Sequence, residues 1–196
     1  MTMGRATIER KTKETQIRLT LDLDRRDAPQ LATGVPFFDH MLNAFAFHGG
    51  FYLEVEAQGD LEVDPHHLVE DTGLVLGEAF RKVQDARGGV MRYGHSVIPM
   101  DEALSEVVVD ACGRPYWVYT ADFPQSHAGN FDLSLVREFV IAFTNKAQVN
   151  LHAHCRYGAN GHHMVEALFK ALGKALAQAY APRGGGSAAM STKGVI

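Results

Sequence analysis

The sequence predicts an α+β protein made of two copies of one unit, roughly residues 1–89 and 90–183, followed by a tail over 184–196. Three observations carry this reading. Strand and helix periodicities run strand, helix, strand, helix before Gly89 and again after it. HHLVEDTGLVLGEAF from His66 resembles HHMVEALFKALGKAL from His162, with HH, Val and Glu at equal offsets. Phe45 to Leu53 and Phe143 to Leu151 each span eight residues, a register that sets His40 opposite Glu138. ETQIRLTLD from Glu14 also falls opposite EALSEVVVD from Glu102.

The elements follow in order. Ile17, Leu19, Leu21 and Leu23 alternate with Arg18, Thr20, Asp22 and Asp24, the period of a half-buried strand. Phe38, Met41, Leu42 and Phe45 fall on one helical stripe, which Gly49-Gly50 ends because glycine takes the left-handed turn that closes a helix. Phe51, Leu53, Val55 and Ala57 alternate as a strand. From His66 the period is helical again, with Val69, Gly73, Leu76, Phe80 and Val83 on one face and Gly88-Gly89 as the stop. Glu106 to Asp110 and Tyr116 to Tyr119 read as strands flanking the turn Cys112-Gly113-Arg114-Pro115. Leu133, Val136, Val140 and Phe143 give a helix, and Val149, Leu151, Ala153 and Cys155 a strand. Val165, Leu168, Phe169, Leu172 and Leu176 give the last helix. The tail APRGGGSAAMSTKGVI is rich in glycine and serine and is expected to be mobile until something binds it.

Composition excludes several classes. At 46% apolar and 21% charged residues the 196-residue chain is ordinary for a globular protein and long enough to bury a core without disulfides. The net charge of −4 offers no basic excess for a nucleic-acid backbone, so no nucleic acid is expected as partner. No apolar run approaches the roughly 18 residues of a membrane span, and the first residues are too polar for a signal peptide. Cys112 and Cys155 make no disulfide framework, and a cytoplasmic location is expected.

The unusual feature is histidine. Two HHxxE segments lie on helices at matching places in the two halves. Residues i and i+4 share a helix face, so His66 with Glu70, and His162 with Glu166, can each grip one metal ion. The neighbouring histidine projects about 100° around the helix and must serve another ion. If the two copies face each other, His163 joins His66 and Glu70, and His67 joins His162 and Glu166. His40 and Glu138 then supply a fourth ligand each. Spacing alone does not fix which goes where, though pseudo-symmetry puts Glu138 with the first set and His40 with the second. Mixed imidazole and carboxylate ligation without thiolate suits Mn²⁺, Fe²⁺, Co²⁺ or Zn²⁺. Arg92, Arg114, Lys170, Ser191 and Lys193 are the candidates to hold an anionic substrate. His95, His127 and His154 read as surface or structural residues, and His152 as a structural residue or a support to a metal ligand.

TGVPFFDHMLNAFAFHGGF, DPHHLVEDTGLVLGEAF, MDEALSEVVVDACGRPY, NGHHMVEALFKALGKAL, the terminal STKG and the early RKTKET together resemble the imidazoleglycerol-phosphate dehydratase family over nearly the whole chain. With no sign of an appended phosphatase segment, the likeness is to its monofunctional form. The resemblance implies two similar halves, each a four-stranded sheet with two helices on one face, of the ribosomal protein S5 domain 2-like type. It implies a homo-oligomer of about 24 subunits with active sites between subunits and two Mn²⁺ per active site. His40, His67, His162 and Glu166 are the implied ligands of one ion. His66, Glu70, Glu138 and His163 are those of the other, although some relatives have histidine where this chain has Glu138.

The implied reaction is the dehydration of imidazoleglycerol phosphate to imidazoleacetol phosphate in histidine biosynthesis, through a metal-bound imidazolate. Glu14 of TKET is the implied acid/base residue. His48 of FAFHGG is a second catalytic candidate, as donor to the leaving hydroxyl or as a substrate contact. Arg92, Arg114, Lys170, Ser191 and Lys193 would bind the phosphate, and the tail would close over the substrate. Two other readings use the same histidines: a dinuclear phosphoester hydrolase, and a noncatalytic protein in which metals only bridge subunits.

Overall fold

The computed structural model describes residues 3–183. Its first half runs β1 (Arg5–Lys11), β2 (Thr15–Asp22), β3 (Gln30–Ala32), α1 (Pro36–Gly49), β4 (Tyr52–Gly59) and α2 (His66–Arg87). The second runs β5 (Tyr93–Met100), β6 (Ala103–Asp110), β7 (Tyr116–Thr120), a short hairpin of β8 (His127–Ala128) and β9 (Phe131–Asp132), α3 (Leu135–Ala147), β10 (Asn150–Tyr157) and α4 (Gly161–Ala179). The two four-stranded sheets have the same order, β1-β2-β4-β3 and β5-β6-β10-β7. In each the last strand is parallel to its neighbour and the other pairings are antiparallel. This is the α+β architecture that the paired periodicities predict.

Alternation decides which face of each strand turns inward. Ile17, Leu19 and Leu21 of β2, Leu53 and Val55 of β4, Val107 and Val109 of β6, and Leu151 and Ala153 of β10 are all buried. The helices lie on these faces, and α2 packs on α3 while α1 packs on α4, so one core runs through both halves. Each Val, Leu, Ile, Phe or Met side chain fully buried there contributes about 1.5–3 kcal/mol by removal from water. Pro36 opens α1 at a position that needs no N–H, and Gly50 (φ 67°) closes it. Gly88 (φ 64°) closes α2.

The structure adds strands that the sequence periodicity does not mark. β1 buries only Ala6 and Ile8, and β3 is three residues long. β5 carries an inverted pattern: Gly94 and Ser96 face inward, while Tyr93 and Val97 are exposed. The cause is α4, which passes so close that a Cβ on Gly94 would lie 1.9 Å from the Ala175 carbonyl oxygen. β6 and β7 flank their turn in sequence but do not pair; β10 lies between them. Leu133 is buried ahead of α3 rather than inside it.

Helix contact is tight in both pairs that join the halves, α2 on α3 and α1 on α4. A Cβ on Gly77 would come 2.4 Å from the Phe143 carbonyl oxygen, and one on Gly173 would come 2.1 Å from that of Phe45. A carbonyl cannot rotate away, so Gly173→Ala must part α1 from α4. We expect a loss of about 2 kcal/mol or more in denaturant unfolding, against a negligible change for Gly89→Ala, where an added Cβ meets nothing within 4 Å. Among the described residues no helix is long and apolar enough to cross a membrane.

Candidate metal centre

Both HH pairs sit in the first turn of their helices, and each is set there by a short polar side chain two residues earlier. Asp64 Oδ1 accepts the His66 amide at 2.7 Å, and Asn160 Oδ1 accepts the His162 amide at 2.9 Å. These bonds satisfy amides that a helix start leaves open, and they fix where each first histidine leaves the backbone. The two rings of each pair stand nearly perpendicular, at 85° for His66 and His67 and 82° for His162 and His163. Adjacent histidines thus face different directions, as the helix period requires.

The packing of α1 on α4 brings His40 to His162 and Glu166. Glu166 Oε2 lies 3.1 Å from His40 Nε2 and 3.2 Å from His162 Nε2. Among the described residues this is the one group of three potential ligands with donor atoms within 4.8 Å of one another. Phe37 packs edge-on against the His162 ring at 5.2 Å and holds it in place. Glu166 is buried, and Lys170 one turn later pairs with its other oxygen at 2.9 Å. Burial pushes the Glu166 carboxyl up, but the hydrogen bonds from Lys170 and His40 outweigh it, so the group lies below its ordinary value. His48, at the end of α1, is exposed and held below its ordinary value by partial burial and by the Lys170 and Lys174 charges.

The residues of the second ligand set are looser. His66 Nε2 lies 3.5 Å from Glu70 Oε2, while Glu138 accepts a hydrogen bond from Arg137 at 3.0 Å. The Arg137 guanidinium also lies over the Trp117 ring at 4.9 Å.

The odd histidines turn elsewhere. His67 Nδ1 donates to Asp60 at 3.0 Å, and its Nε2 is 4.0 Å from Glu14. His163 Nδ1 donates to Glu102 at 2.8 Å. Those bonds raise both imidazoles above their ordinary value, and the bond from His163 lowers Glu102. Glu14 itself is exposed.

The candidate anion-binding residues divide. Lys170 adjoins the His40–His162–Glu166 corner, but Arg92 and Arg114 do not. The Arg92 amide bonds to Ala179 in the last turn of α4, and its guanidinium grips both oxygens of Asp110 at 2.6 and 3.0 Å. Arg114 lies beyond the same end of β6, its carbonyl accepting from Asn150 at 2.8 Å. His162 opens α4, so at 1.5 Å per residue the arginine end is roughly 25 Å away. Ser191 and Lys193 lie outside the described residues, as does the tail over 184–196. His152 and His154 alternate with buried Leu151 and Ala153 and so face outward from β10, and His95 and His127 are exposed.

Asp60, Asp64, Glu102 and Asn160 are the site-shaping residues that motif reading misses. Only an Asp or Asn two residues before each HH marks any of them in sequence.

The sequence matches the family described as imidazoleglycerol-phosphate dehydratase over residues 33–176. It is 52% identical over 193 residues to imidazoleglycerol-phosphate dehydratase of Pelobacter propionicus, covering 97% of this chain and 98% of that protein. It is 50% identical over 194 residues to that of Lacticaseibacillus casei, covering 99% and 100%. The crystal structure of the enzyme from Staphylococcus aureus superposes with a TM-score of 0.83 and 37% identity, covering 91% of this chain and 99% of that one. That from Pyrococcus furiosus gives 0.84 and 36%, covering 96% and 100%.

Proposed function

The chain belongs to the imidazoleglycerol-phosphate dehydratase family, hydro-lyases of histidine biosynthesis, and from that premise we propose that it dehydrates imidazoleglycerol phosphate to imidazoleacetol phosphate at two Mn²⁺ per active site, in the cytoplasm, in sites shared between copies of the chain in a homo-oligomer of about 24 subunits. The observation that carries the metal reading is the corner formed by His40, His162 and Glu166. Two imidazole nitrogens stand 3.1 and 3.2 Å from one carboxylate oxygen. Neighbouring ligand atoms around an ion bound at about 2.1 Å are spaced at about 3 Å, so the donors fit a cation with little movement. Imidazole and carboxylate together suit Mn²⁺.

His67 completes this set from another copy, a reading supported by its absence from the His40–His162–Glu166 group in its own chain. His66, Glu70, Glu138 and His163 hold the second ion on the same pattern, with Glu138 exchanging Arg137 for the metal. The separation of Arg92 and Arg114 from the corner supports the same arrangement. An arginine side chain cannot span roughly 25 Å, so these two reach a substrate only at a neighbour's corner.

When bound, Mn²⁺ would act as a Lewis acid on the nitrogens of the substrate ring and favour its deprotonated form. Glu14 travels with His67 and so arrives beside the ion. It takes the proton from carbon 2 of the glycerol chain, the departing carbon-3 hydroxyl takes up a proton and leaves as water, and the resulting enol becomes the ketone. His48 is the candidate donor to that hydroxyl or a further substrate contact. Lys170, Arg92, Arg114, Ser191 and Lys193 hold the phosphate, and charge-assisted bonds to a dianion orient the reacting end.

The test is turnover of imidazoleglycerol phosphate by chelator-treated protein, with and without added Mn²⁺, following the ketone. Product that appears only with Mn²⁺ is expected. A folded, metal-loaded sample that forms none would overturn the reading.

A further inference from the structure

Two carboxylates outside both ligand sets meet the two odd histidines in the same way, although they come from unrelated places in the duplicated chain. Asp60 follows β4 in the first half, and its counterpart in the second-half register is Gly158. Glu102 lies in the β5–β6 turn, and its first-half counterpart is Glu14. Each accepts a hydrogen bond from the Nδ1 of its histidine, at 3.0 Å for His67 on Asp60 and 2.8 Å for His163 on Glu102. Both acceptors are themselves held. Glu102 Oε1 accepts the Ala159 amide at 3.1 Å, and the Asp60 backbone bonds to Glu14 and Val63 at 3.2 and 2.8 Å.

We infer that Asp60 and Glu102 are positioning residues that fix the tautomer and direction of His67 and His163, so that each presents Nε2 to an ion held by another copy. A carboxylate on one ring nitrogen keeps the proton there and leaves the lone pair on the other, which both orients the ring and raises its basicity as a ligand. Because Asp60 occupies His67 Nδ1, Glu14 is not needed as its anchor. Its carboxylate stays 4.0 Å from His67 Nε2, on the metal-facing side. In the second half Glu102 fills the anchoring position itself. Glu14 and Glu102 are counterparts in sequence with different work: one is left to move a proton, the other holds a ligand. The inference rests on the functional reading above, since it needs His67 and His163 to be ligands.

The experiment is Mn²⁺ affinity, by equilibrium dialysis with metal analysis, for wild type, Asp60→Ala, Glu102→Ala and Glu14→Gln, with circular dichroism to check folding. Asp60→Ala and Glu102→Ala are each expected to weaken one of the two Mn²⁺ classes about 10- to 100-fold. Asp60→Asn and Glu102→Gln, which keep an accepting oxygen, are expected to lose less. Glu14→Gln is expected to leave both classes unchanged. Wild-type affinity in both alanine variants, with wild type binding two ions per chain, would overturn the positioning role while leaving the functional reading in place. Wild type that binds no Mn²⁺ would overturn both. In metal-free protein, ¹⁵N NMR of the His67 and His163 rings supplies a readout independent of metal: Nδ1-protonated rings are expected in wild type and a shift toward Nε2-protonated rings in the alanine variants.

Discussion

Glu14→Gln is expected to lower turnover of imidazoleglycerol phosphate by 10²- to 10⁴-fold, the usual contribution of a positioned acid or base. The amide keeps the size of the carboxylate but can neither take nor return the carbon-2 proton. Glu14 lies in the turn between β1 and β2, exposed, with its backbone carbonyl bonded to Asp60, so the change costs no core packing. Substrate affinity and Mn²⁺ content should stay near wild type, and the loss should fall on kcat. Steady-state kinetics at saturating Mn²⁺ separates these quantities. A variant within a few-fold of the wild-type rate would remove Glu14 from the proton transfer.

Glu166→Ala is expected to be as severe for a different reason. The Glu166 carboxylate touches His40, His162 and Lys170 at once. Its loss removes the anionic ligand of the corner and takes from the Lys170 ammonium its carboxylate partner. We expect the ion at that corner to be lost and turnover to fall at least 10³-fold, with the far-ultraviolet spectrum unchanged. Metal analysis after dialysis should give about one ion per chain in place of two. Full Mn²⁺ content in this variant would refute the assignment of the corner. Lys170→Ala offers a contrast. It should retain metal and raise KM, because the lysine pairs with Glu166 but is assigned to the phosphate.

Much of this arrangement is legible in sequence because it is periodic or repeated. The alternation in β2, β4, β6 and β10 and the stripes of all four helices follow from which face is buried, and the duplicated HHxVE fixes the relation of α2 to α4. β5 is hidden for a physical reason: α4 passes too close for any side chain at Gly94, and the next inward position is the buried Ser96, so the apolar face that would announce a strand is missing. Asp60 and Glu102 are hidden differently. They act through contacts 7 and 61 residues away, and no spacing rule joins Asp60 to His67 or Glu102 to His163. The sequence names Glu138 as a ligand on register and on the family resemblance, whereas in the folded chain its carboxylate meets Arg137. A register sets positions along the chain and does not say which neighbour a side chain meets. Arg92 and Arg114 read in sequence as members of one phosphate-binding group with Lys170. Only the fold reveals that they sit at the opposite end of α4 and β6, and that separation motivates a site made by more than one chain.

Mixing two defective variants tests this shared site most directly. Arg92→Ala and Glu166→Ala are each expected to turn over substrate at less than about 1% of the wild-type rate at subsaturating concentration. Equal amounts are combined after metal removal, and Mn²⁺ is returned so that the chains reassemble together. If Arg92 and Glu166 serve one site from different copies, random mixing leaves roughly a quarter of the sites with both residues intact, and activity should recover to about that fraction. If both residues served the site of their own chain, every site in the mixture would carry one lesion. A mixture no more active than its two components would then contradict the shared site.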